Sequence, residues 1–473
     1  MPAILSRLAG AVAFLFLPGV LAAAPLDGVT SFTLPNGLVG VVIEDHRAPV
    51  VTNMVWYRVG GADDPAGHSG LAHFLEHLMF KGTATLGDGE FSRVVAENGG
   101  EENAYTSADH TAYFQTIAAD RLDLVMGMEA DRMTGLDPGE ATVLSERDVV
   151  AEERRQRAEN RPDGLFIEQM GAALYVNSPY GRPVIGWPQE IAALTRAAAM
   201  DFYRRHYAPN NAILVVAGDV APEEVERLAE AHFGPIPASP AIAPRERPQE
   251  PPAVAARRVT MQDARVSEPY VVRSYLAPPR RAGDQARAAA LSVLAELLGG
   301  SEATSVMARE LVMGDGIALD AGADYSAIGV DTQSFGLYVV PRPGVGLARA
   351  EAELDALLAR FVDRGPDPDD LARLKLQMRA EETYALDRRQ GRAHRIGAAL
   401  ASGLTLEDVG AWPDALQAVT PADVQAAAKA LFRPEASVTG WLTGVAADLP
   451  APAAAPAAAP AADAGGDLPG AVR

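Results

Sequence analysis

The stretch GHSGLAHFLEHLMFKGT, residues 67–83, places two histidines and a glutamate within five consecutive positions of an apolar segment with helical character. His73 and His77 are four residues apart, so they project from the same face of a helix. Two imidazoles at this spacing can bind one zinc ion. Glu76 lies close to that face, where it can reach a water molecule beside the metal. The stretch therefore predicts a metal site on a helix.

A competing interpretation is a pair of surface or capping histidines on an amphipathic helix. The flanking residues favour a largely buried helix instead, because they are apolar: Leu71, Phe74, Leu75, Leu78, Met79 and Phe80. Burying imidazole and carboxylate groups costs free energy unless they find partners, and a metal ion supplies that compensation. Ser69 is the expected N-cap of the helix, and His68 is expected in the preceding loop rather than among the ligands.

The absence of cysteine restricts the other metal ligands. The chain contains no cysteine, which excludes thiolate ligands, disulfides and cysteine nucleophiles, so a carboxylate is the expected third ligand. A charged helical stretch, residues 144–158, offers three glutamates. Glu146 and Glu153 are two turns apart on one face, whereas Glu152 points about 100° away. The spacing alone leaves the choice among them open.

Length, composition and charge limit the class of protein. The chain has 473 residues, of which 48% are apolar and 22% charged, with a net charge of −21. This composition is globular and permits about two or three domains, and the acidic excess argues against a nucleic-acid-binding surface. A proline-rich segment, residues 235–252, predicts a linker between an N-terminal unit at 27–234 and a C-terminal unit at 253–448.

The two units share a repeated segment. Thr195, Ala197, Tyr207 and Pro209 of the first unit are matched, at one constant offset along the chain, by Thr420, Ala422, Phe432 and Pro434 of the second. In both copies a threonine precedes a helical stretch, a proline stops the helix, and a β-rich run follows. Gene duplication of one unit is the interpretation that this repeat favours.

The pattern of apolar residues predicts a mixed fold. Residues 39–44, 50–59 and 113–117 are rich in β-forming residues and predict strands. Residues 70–80, 121–133 and 144–158 have helical periodicity. Because strands and helices do not alternate strictly, the sequence predicts an α+β fold with largely antiparallel sheets.

The two ends of the chain are not expected to belong to the fold. Residues 1–22 resemble a secretory signal peptide, with Arg7 before an apolar run and small residues up to Ala22. A membrane anchor is the alternative, but the run is short for a span of about 20 residues. We therefore expect an exported, periplasmic protein with no membrane span in the mature chain. The Ala/Pro-rich residues 449–473 predict a flexible tail.

The order of several motifs resembles that of the insulinase/pitrilysin family, which includes the mitochondrial processing peptidases and many exported bacterial peptidases. The first of these motifs is H-x-x-E-H, the inverzincin pattern. The matching segments are residues 36–38, 67–83, 98–100, 103–107, the pair Glu146 and Glu153, and residues 209–211. The resemblance covers essentially the whole mature chain, and it implies two duplicated units, each a largely antiparallel sheet packed with helices.

The resemblance implies a role for each matching residue of the metal site. His73, His77 and Glu153 would bind one zinc ion per chain. Glu76 would be the general base that acts on a water molecule activated by the zinc. Glu146 would orient a zinc-binding histidine from behind.

The resemblance also implies a strand that binds substrate. Asn103 and Ala104, followed by Tyr105, would lie on an edge strand beside the site and capture an extended peptide by β-augmentation. Two plainer interpretations stay open, because Asn103 also suits a turn and Tyr105 also suits packing in the core.

One departure from the family pattern concerns the second unit. Family members that act alone carry an Arg and a Tyr seven residues apart there, whereas Val312 and Leu319 occupy the corresponding positions here. Arg309 and Tyr325 are nearby, but their spacing does not fit. The resemblance therefore implies a heterodimer with a related zinc-less subunit that supplies the Arg/Tyr pair, with a homodimer as the alternative.

These expectations combine into a function. The sequence predicts an exported zinc endopeptidase that hydrolyses short or unfolded peptides in a chamber enclosed by two chains. The alternative is a non-cleaving structural or assembly subunit of the same family, which would have no need for Glu76. A processing enzyme dedicated to one secreted peptide is a third interpretation.

Overall fold

A computed structural model describes residues 26–444 of the protein, except Asp315 and Asp387. The predicted signal peptide, residues 1–22, and the predicted tail, residues 449–473, lie outside the described residues. Within residues 26–444, apart from those two positions, no helix combines the length and the apolar character needed to cross a membrane.

The described residues of the first half form a six-stranded sheet in the order β1-β2-β6-β3-β5-β4. Its neighbouring strands are antiparallel except β2 and β6, which run parallel. The strands are β1 (Val29–Thr33), β2 (Val39–Glu44), β3 (Val50–Tyr57), β4 (Glu101–Thr106), β5 (Thr111–Ala118) and β6 (Ala212–Gly218). The helices are α1 (Leu71–Leu78), α2 (Glu90–Glu97), α3 (Leu122–Gly135), α4 (Glu140–Arg154), α5 (Pro162–Leu174), α6 (Pro188–Ile191), α7 (Arg196–His206) and α8 (Pro222–His232).

The described residues of the second half form a five-stranded sheet in the order β7-β11-β8-β10-β9. The pair β7 and β11 is parallel, and the other pairs are antiparallel. The strands are β7 (Arg257–Gln262), β8 (Tyr270–Ala277), β9 (Ala318–Tyr325), β10 (Gln333–Pro341) and β11 (Ser437–Thr443). The helices are α9 (Ala286–Gly299), α10 (Leu347–Arg364), α11 (Pro368–Leu386), α12 (Arg389–Ala401), α13 (Leu406–Ala418) and α14 (Pro421–Leu431).

The internal repeat is visible in the bounds of these elements. Helix α14 has the same length as α7, β11 has the same length as β6, and both pairs are related by the offset that relates the repeated residues. Thr195 and Thr420 cap the two helices, since each side chain accepts a hydrogen bond from a backbone N–H three residues later. Each following strand also has one parallel and one antiparallel neighbour. The prediction of two duplicated α+β units is confirmed.

The central strands of the first sheet are covered on both faces. Strand β6 is buried at every residue and β3 at every residue after Val50. One face contributes Val42 and Val55 to a large core with the helices of the same half. The opposite face carries Val41 and Trp56 in a separate cluster. Such continuous apolar runs are typical of strands packed on both sides.

Each half covers part of the other half's sheet with one helix. Helix α12 packs Ala393 and Ile396 on the Trp56 face of the first sheet. Helix α5, from the first half, packs Phe166 and Met170 against the second sheet, where they meet Val438 and Leu442 of β11. Burying these apolar faces between the halves favours their association. Each unit therefore contributes one helix, called here its covering helix, that packs on the sheet of the other unit.

Glycines allow both contacts to be close. A Cβ atom added at Gly397 of α12 would lie 2.1 Å from the Trp56 ring. A Cβ atom added at Gly440 of β11 would lie 2.4 Å from the sulfur of Met170. Real Cβ atoms do not approach other atoms this closely, so a side chain at Gly397 would push α12 away from the first sheet, and one at Gly440 would displace the Met170 side chain.

The segment between the two sheets, residues 235–252, contains no helix or strand but is tied down by ion pairs. The Arg247 side chain is 5% exposed and contacts Asp63 at 2.8 Å, Asp109 at 2.5 Å and Asp331 at 3.1 Å. Asp331 belongs to the second half, so one buried guanidinium joins the connecting segment to both halves. A buried charge needs this many partners to offset its loss of hydration.

Candidate metal centre

Helix α1 begins at a sharp turn. Gly70 is its N-cap, with φ of 87°, and a Cβ atom there would lie 2.5 Å from the carbonyl oxygen of Ile185. The Asp64 carboxylate caps the helix from six residues upstream, accepting hydrogen bonds at 2.8 Å from the N–H groups of Gly70 and Ala72. The helix thus enters the site in one fixed direction.

The expectation that Ser69 caps this helix was wrong. The helix begins one residue later than expected, so the Ser69 side chain does not lie over its first turn. Instead, Ser69 Oγ accepts a hydrogen bond of 2.9 Å from the backbone N–H of Trp187. The Asp64 carboxylate satisfies the first-turn N–H groups in its place, which is the task that a capping side chain performs.

The three predicted metal ligands lie close together. His73 and His77 lie on one face of α1, and Glu153 lies near the end of α4. Glu153 Oε2 is 3.6 Å from His73 Nε2 and 3.4 Å from His77 Nε2. One atom from each of the three side chains lies within 4.8 Å of the other two. His68 and Glu152 are not part of this group.

The three atoms fit a metal ion. Glu153 Oε2 is buried and has no hydrogen-bond partner, although two imidazole nitrogens face it. A buried carboxylate oxygen left without a partner is costly. Two imidazole nitrogens and one carboxylate oxygen are a usual ligand set for a catalytic zinc ion, which keeps its fourth position open. The donor set therefore fits zinc.

Salt bridges hold the end of α4 that carries Glu153. Arg154, which is buried, donates to both carboxylate oxygens of Glu168 at 2.7 and 2.8 Å and to the Gly186 carbonyl at 2.7 Å. Arg157 contacts the other oxygen of Glu153, Oε1, at 2.7 Å. Because Arg157 occupies Oε1, the free oxygen Oε2 is the one directed at the histidines.

Glu146 lies behind His77, on the side away from the three ligand atoms. Its Oε1 is 2.8 Å from His77 Nδ1, and its Oε2 is 2.8 Å from the Lys81 ammonium. Burial raises the pKa of Glu146, but its hydrogen bonds with His77 and Lys81 outweigh burial and lower it overall. An ionised Glu146 accepts a hydrogen bond from the Nδ1–H of His77 and leaves Nε2 for the metal, as carboxylates commonly do behind zinc-binding histidines.

The two histidines differ in their protonation. Burial lowers the pKa of His73 to about 4, so its imidazole is neutral at pH 7. Burial acts the same way on His77, but its hydrogen bond with Glu146 and the nearby charge of Glu153 outweigh it and raise its pKa to about 9. A metal that binds His77 Nε2 must therefore displace a proton, as metal binding to protonated ligands generally does.

Glu76 lies between the two histidines in the sequence, but its carboxylate points towards Thr106 on β4. Its side chain is buried, and Oε2 accepts a hydrogen bond of 2.5 Å from the Thr106 hydroxyl. Burial raises the pKa of Glu76, while the Thr106 hydrogen bond opposes that effect. A carboxylate that is not itself a ligand but lies beside the ligands has the location of a general base.

The predicted substrate-binding residues lie on β4, one of the two edge strands of the first sheet in the described residues. Asn103 is exposed, and its side-chain oxygen accepts a hydrogen bond of 2.8 Å from the backbone N–H of Ala104. Tyr105 packs in the core at the seam between the halves. Its ring stacks on His394 of α12 at 5.7 Å and meets Trp56 edge-on at 5.8 Å.

The stretch that departs from the family pattern runs into β9, an edge strand of the second sheet. Val312 ends a short π-helical turn, Ala308–Val312, and Leu319 is half exposed on β9. Arg309 pairs with Asp370, and the Tyr325 hydroxyl donates to the Pro278 carbonyl. Both of the nearby Arg and Tyr side chains are thus engaged within the second half.

Sequence reasoning missed three residues that shape this site. Thr106 follows Tyr105 directly, but its contact with Glu76 joins elements 30 residues apart. Asp64 and Lys81 flank the motif, and ordinary surface charges resemble them in sequence. Of these three residues, only Asp64 offered a signal in the sequence, because it precedes the start of α1 and carboxylates stabilise helix N-termini.

Two family models match the chain. The model described as Insulinase (Peptidase family M16) matches residues 40–187, and the model described as Peptidase M16 inactive domain matches residues 193–378. The chain is 33% identical over 354 residues to zinc protease PqqE of Helicobacter pylori, covering 74% of this chain and 78% of that protein.

Solved structures share the fold. The crystal structure of a protease from Helicobacter pylori is 30% identical, with a TM-score of 0.82, and the match covers 89% of this chain and 100% of that one. The crystal structure of the periplasmic protease PqqL from Escherichia coli is 21% identical, with a TM-score of 0.78, over 90% of this chain and 48% of that one.

Proposed function

The chain belongs to the insulinase family of peptidases, peptidase family M16, and on this basis we propose that it is a zinc-dependent endopeptidase acting on short or unfolded peptides. The observation that carries the proposal is the meeting of His73, His77 and Glu153 within 4.8 Å, with Glu76 beside them on the same helix. Three protein ligands leave a metal position for a reactant, and a structural zinc site usually does not.

The three glutamates are proposed to have different roles because their surroundings differ. Glu153 Oε2 faces two imidazole nitrogens and binds the zinc ion. Glu146 faces the far nitrogen of His77 and orients that ring. Glu76 faces neither of these groups of nitrogen atoms. Its hydrogen bond with Thr106 holds its carboxylate where it can take a proton from a water molecule.

The reaction proposed is peptide-bond hydrolysis. A bound zinc ion supplies a Lewis acid that polarises the substrate carbonyl and acidifies water. Glu76 takes a proton from the attacking water and delivers it to the leaving amine. The raised pKa of Glu76, caused by burial, suits this exchange because the group must accept and release a proton in turn.

The substrate is proposed to add a strand to β4. Among the described residues this strand pairs only with β5, so its other edge offers N–H and C=O groups to a chain in extended conformation. The N–H of Ala104 is held by the Asn103 side chain, which a substrate carbonyl would replace. Strand addition reads the backbone more than the side chains, and it requires a peptide that is not folded.

A partner chain is proposed to complete the site. Charge that develops on the substrate carbonyl oxygen needs donors besides the metal, and the Arg/Tyr pair expected in the second half is replaced by Val312 and Leu319. We propose a heterodimer with a related zinc-less subunit, with a homodimer as the second choice. Export to the periplasm is proposed from the signal-like residues 1–22.

The test measures zinc content and cleavage of a fluorescence-quenched, unstructured peptide by the purified chain without residues 1–22. Cleavage that a chelator abolishes, and that Glu76→Gln abolishes without loss of zinc, would support the peptidase and show that the chain acts alone. Full activity of Glu76→Gln would overturn the assigned base.

Two further outcomes separate the remaining interpretations. Zinc without cleavage, followed by cleavage once a related zinc-less subunit is added, would support the heterodimer. A chain that binds no zinc and cleaves nothing with or without that subunit would instead be a structural or assembly subunit. Glu152→Gln, an exposed position on the Glu153 helix, is the control variant and is expected to behave as the wild type.

A further inference from the structure

A cavity of about 730 Å³ lies away from the metal centre, where the connecting segment crosses the first half. Its arginines come from four places. The end of β3 supplies Arg58, the stretch after α5 supplies Arg182, and the connecting segment supplies Arg245 and Arg247, while Arg205 adds a fifth guanidinium at the end of α7. Pockets of this size accommodate small organic ligands.

Basic side chains outnumber acidic ones around this cavity. The five arginines face three carboxyl groups, from Asp63, Asp64 and Glu246. The whole chain has the opposite balance, with 41 Lys+Arg against 62 Asp+Glu. The concentration of arginine is therefore local, and a local potential of this kind raises the affinity for anions at one place on an acidic protein.

In the part of the chain that the structure describes, two of the four half-buried arginines lack an anionic partner, and the exposed Arg205 bonds only to the Asp201 backbone carbonyl. Among the described residues, the Arg58 guanidinium makes no hydrogen bond or salt bridge, and burial together with the neighbouring charge of Arg245 lowers its pKa. The Arg182 Nε is buried without a partner, and its Nη2 reaches only the Ala62 carbonyl, at 3.4 Å. A partly buried guanidinium without a counter-charge is unfavourable.

Two of the three carboxyl groups of the cavity already hold other partners. Asp63 pairs with Arg247 at 2.8 Å. Both oxygens of Asp64 accept hydrogen bonds from the first turn of α1. Glu246 is exposed. Asp63 and Asp64 therefore cannot pair with Arg58 or Arg182 without breaking a contact that supports the metal-bearing helix or the connecting segment.

We propose that this cavity binds a small anion bearing two phosphate groups, with Arg58 and Arg182 as its main contacts. Guanidinium groups match the geometry of phosphate oxygens and bind them through paired N–H donors. Two unpaired guanidinium groups call for two anionic groups, and the volume exceeds what a single inorganic phosphate fills. The ligand would also contact the connecting segment through Arg245 and so bridge it to the first half.

Isothermal titration calorimetry with fructose 1,6-bisphosphate, at physiological salt, tests this proposal on the purified mature chain. We expect saturable binding of one ligand per chain, with Arg58→Gln and Arg182→Gln each weakening it at least tenfold, about the value of one hydrogen bond to a charged group. Arg349→Gln is the matched control, because Arg349 is exposed on α10 in the other half. Zinc content measured after the titration excludes stripping of the metal.

Every other outcome overturns the proposal. Absence of saturable binding, or an equal effect of all three substitutions, would mean that no specific site exists. Inorganic phosphate binding as tightly as the bisphosphate would overturn the requirement for two phosphate groups. If one arginine variant fails to fold by circular dichroism, the other decides, and Arg58→Gln removes no hydrogen bond of the described protein.

Discussion

Thr106 donates a hydrogen bond from its hydroxyl to Glu76 Oε2 at 2.5 Å. Thr106 is the last residue of β4, and Glu76 lies on α1 beside the two histidines. The contact joins the strand proposed to bind substrate to the residue proposed as general base. A shift of either element would change the position of the base relative to the peptide.

Replacing Thr106 by Val should lower kcat for peptide cleavage by about 10- to 100-fold with zinc content unchanged. The substitution keeps the shape of the side chain but removes the hydroxyl, and a hydrogen bond to a charged group contributes about 1.5–3 kcal/mol. Steady-state kinetics on the quenched peptide, together with metal analysis, measures the effect. Thr106→Ser retains a hydroxyl and should recover most of the activity, whereas equal losses in both variants would point to packing rather than to the hydrogen bond.

Replacing Glu153 by Gln should remove zinc, and replacing Glu146 by Gln should weaken zinc binding less. Glu153 provides the carboxylate oxygen that faces both histidines, whereas Glu146 acts only through His77, and residues behind a ligand typically contribute about 10- to 100-fold in metal affinity. Competition with a fluorescent zinc chelator measures the dissociation constants. Glu152→Gln on the same helix should bind zinc as the wild type does, and the reverse order of Glu146 and Glu153 would contradict the ligand assignment.

Replacing Gly397 by Ala should destabilise the protein by about 1–3 kcal/mol, as overpacking of a close contact does. The new methyl group would lie 2.1 Å from the Trp56 ring, so α12 must move away from the first sheet. Gly391→Ala on the same helix is the control, because its Cβ would meet only Arg388, at 3.6 Å. Alanine should be neutral or stabilising there by up to about 1 kcal/mol. Urea unfolding followed by circular dichroism compares the two, and similar values for both would contradict the exchange of covering helices.

Acidification should destabilise the protein partly through His110. Burial lowers the pKa of this residue from 6.5 to about 4. Between those values the unfolded chain binds a proton that the folded chain does not, so stability is complete above pH 6.5 and falls as the pH drops towards 4. In His110→Gln the loss of unfolding free energy between pH 7 and pH 5 should be smaller, by at most about 2 kcal/mol.

Urea titrations at pH 7 and pH 5 measure this difference, and His46→Gln provides a control of opposite sign. A hydrogen bond with Asp219 raises the pKa of exposed His46, so its stabilising effect is present at low pH and disappears as the pH rises. The His46→Gln substitution should therefore increase the loss of unfolding free energy between pH 7 and pH 5. An unchanged pH dependence in His110→Gln would mean that the pKa of His110 does not differ between the folded and unfolded chains.

Features that depend on neighbours in sequence were predicted well. The strand at residues 39–44 was predicted with the bounds that β2 has, and the threonine caps of α7 and α14 follow from local hydrogen bonding. Element ends were less accurate, since the strand predicted at 50–59 ends at Tyr57 and the helix at 70–80 ends at Leu78. The ends of helices and strands depend on the contacts around them, such as the Asp64 cap, and these come from elsewhere in the fold.

The sequence by itself determined that two histidines and a glutamate share one side of a helix, because the helical repeat places residues three and four apart together whatever surrounds them. It also determined the duplication, because the two copies keep the same spacing between their matching residues. Only the tertiary structure decided which carboxylate reaches the histidines, since Glu146 contacts His77 across 69 residues of chain. The exchange of covering helices and the two unpaired arginines likewise depend on how distant elements pack, and packing free energy is summed over contacts that no local pattern encodes.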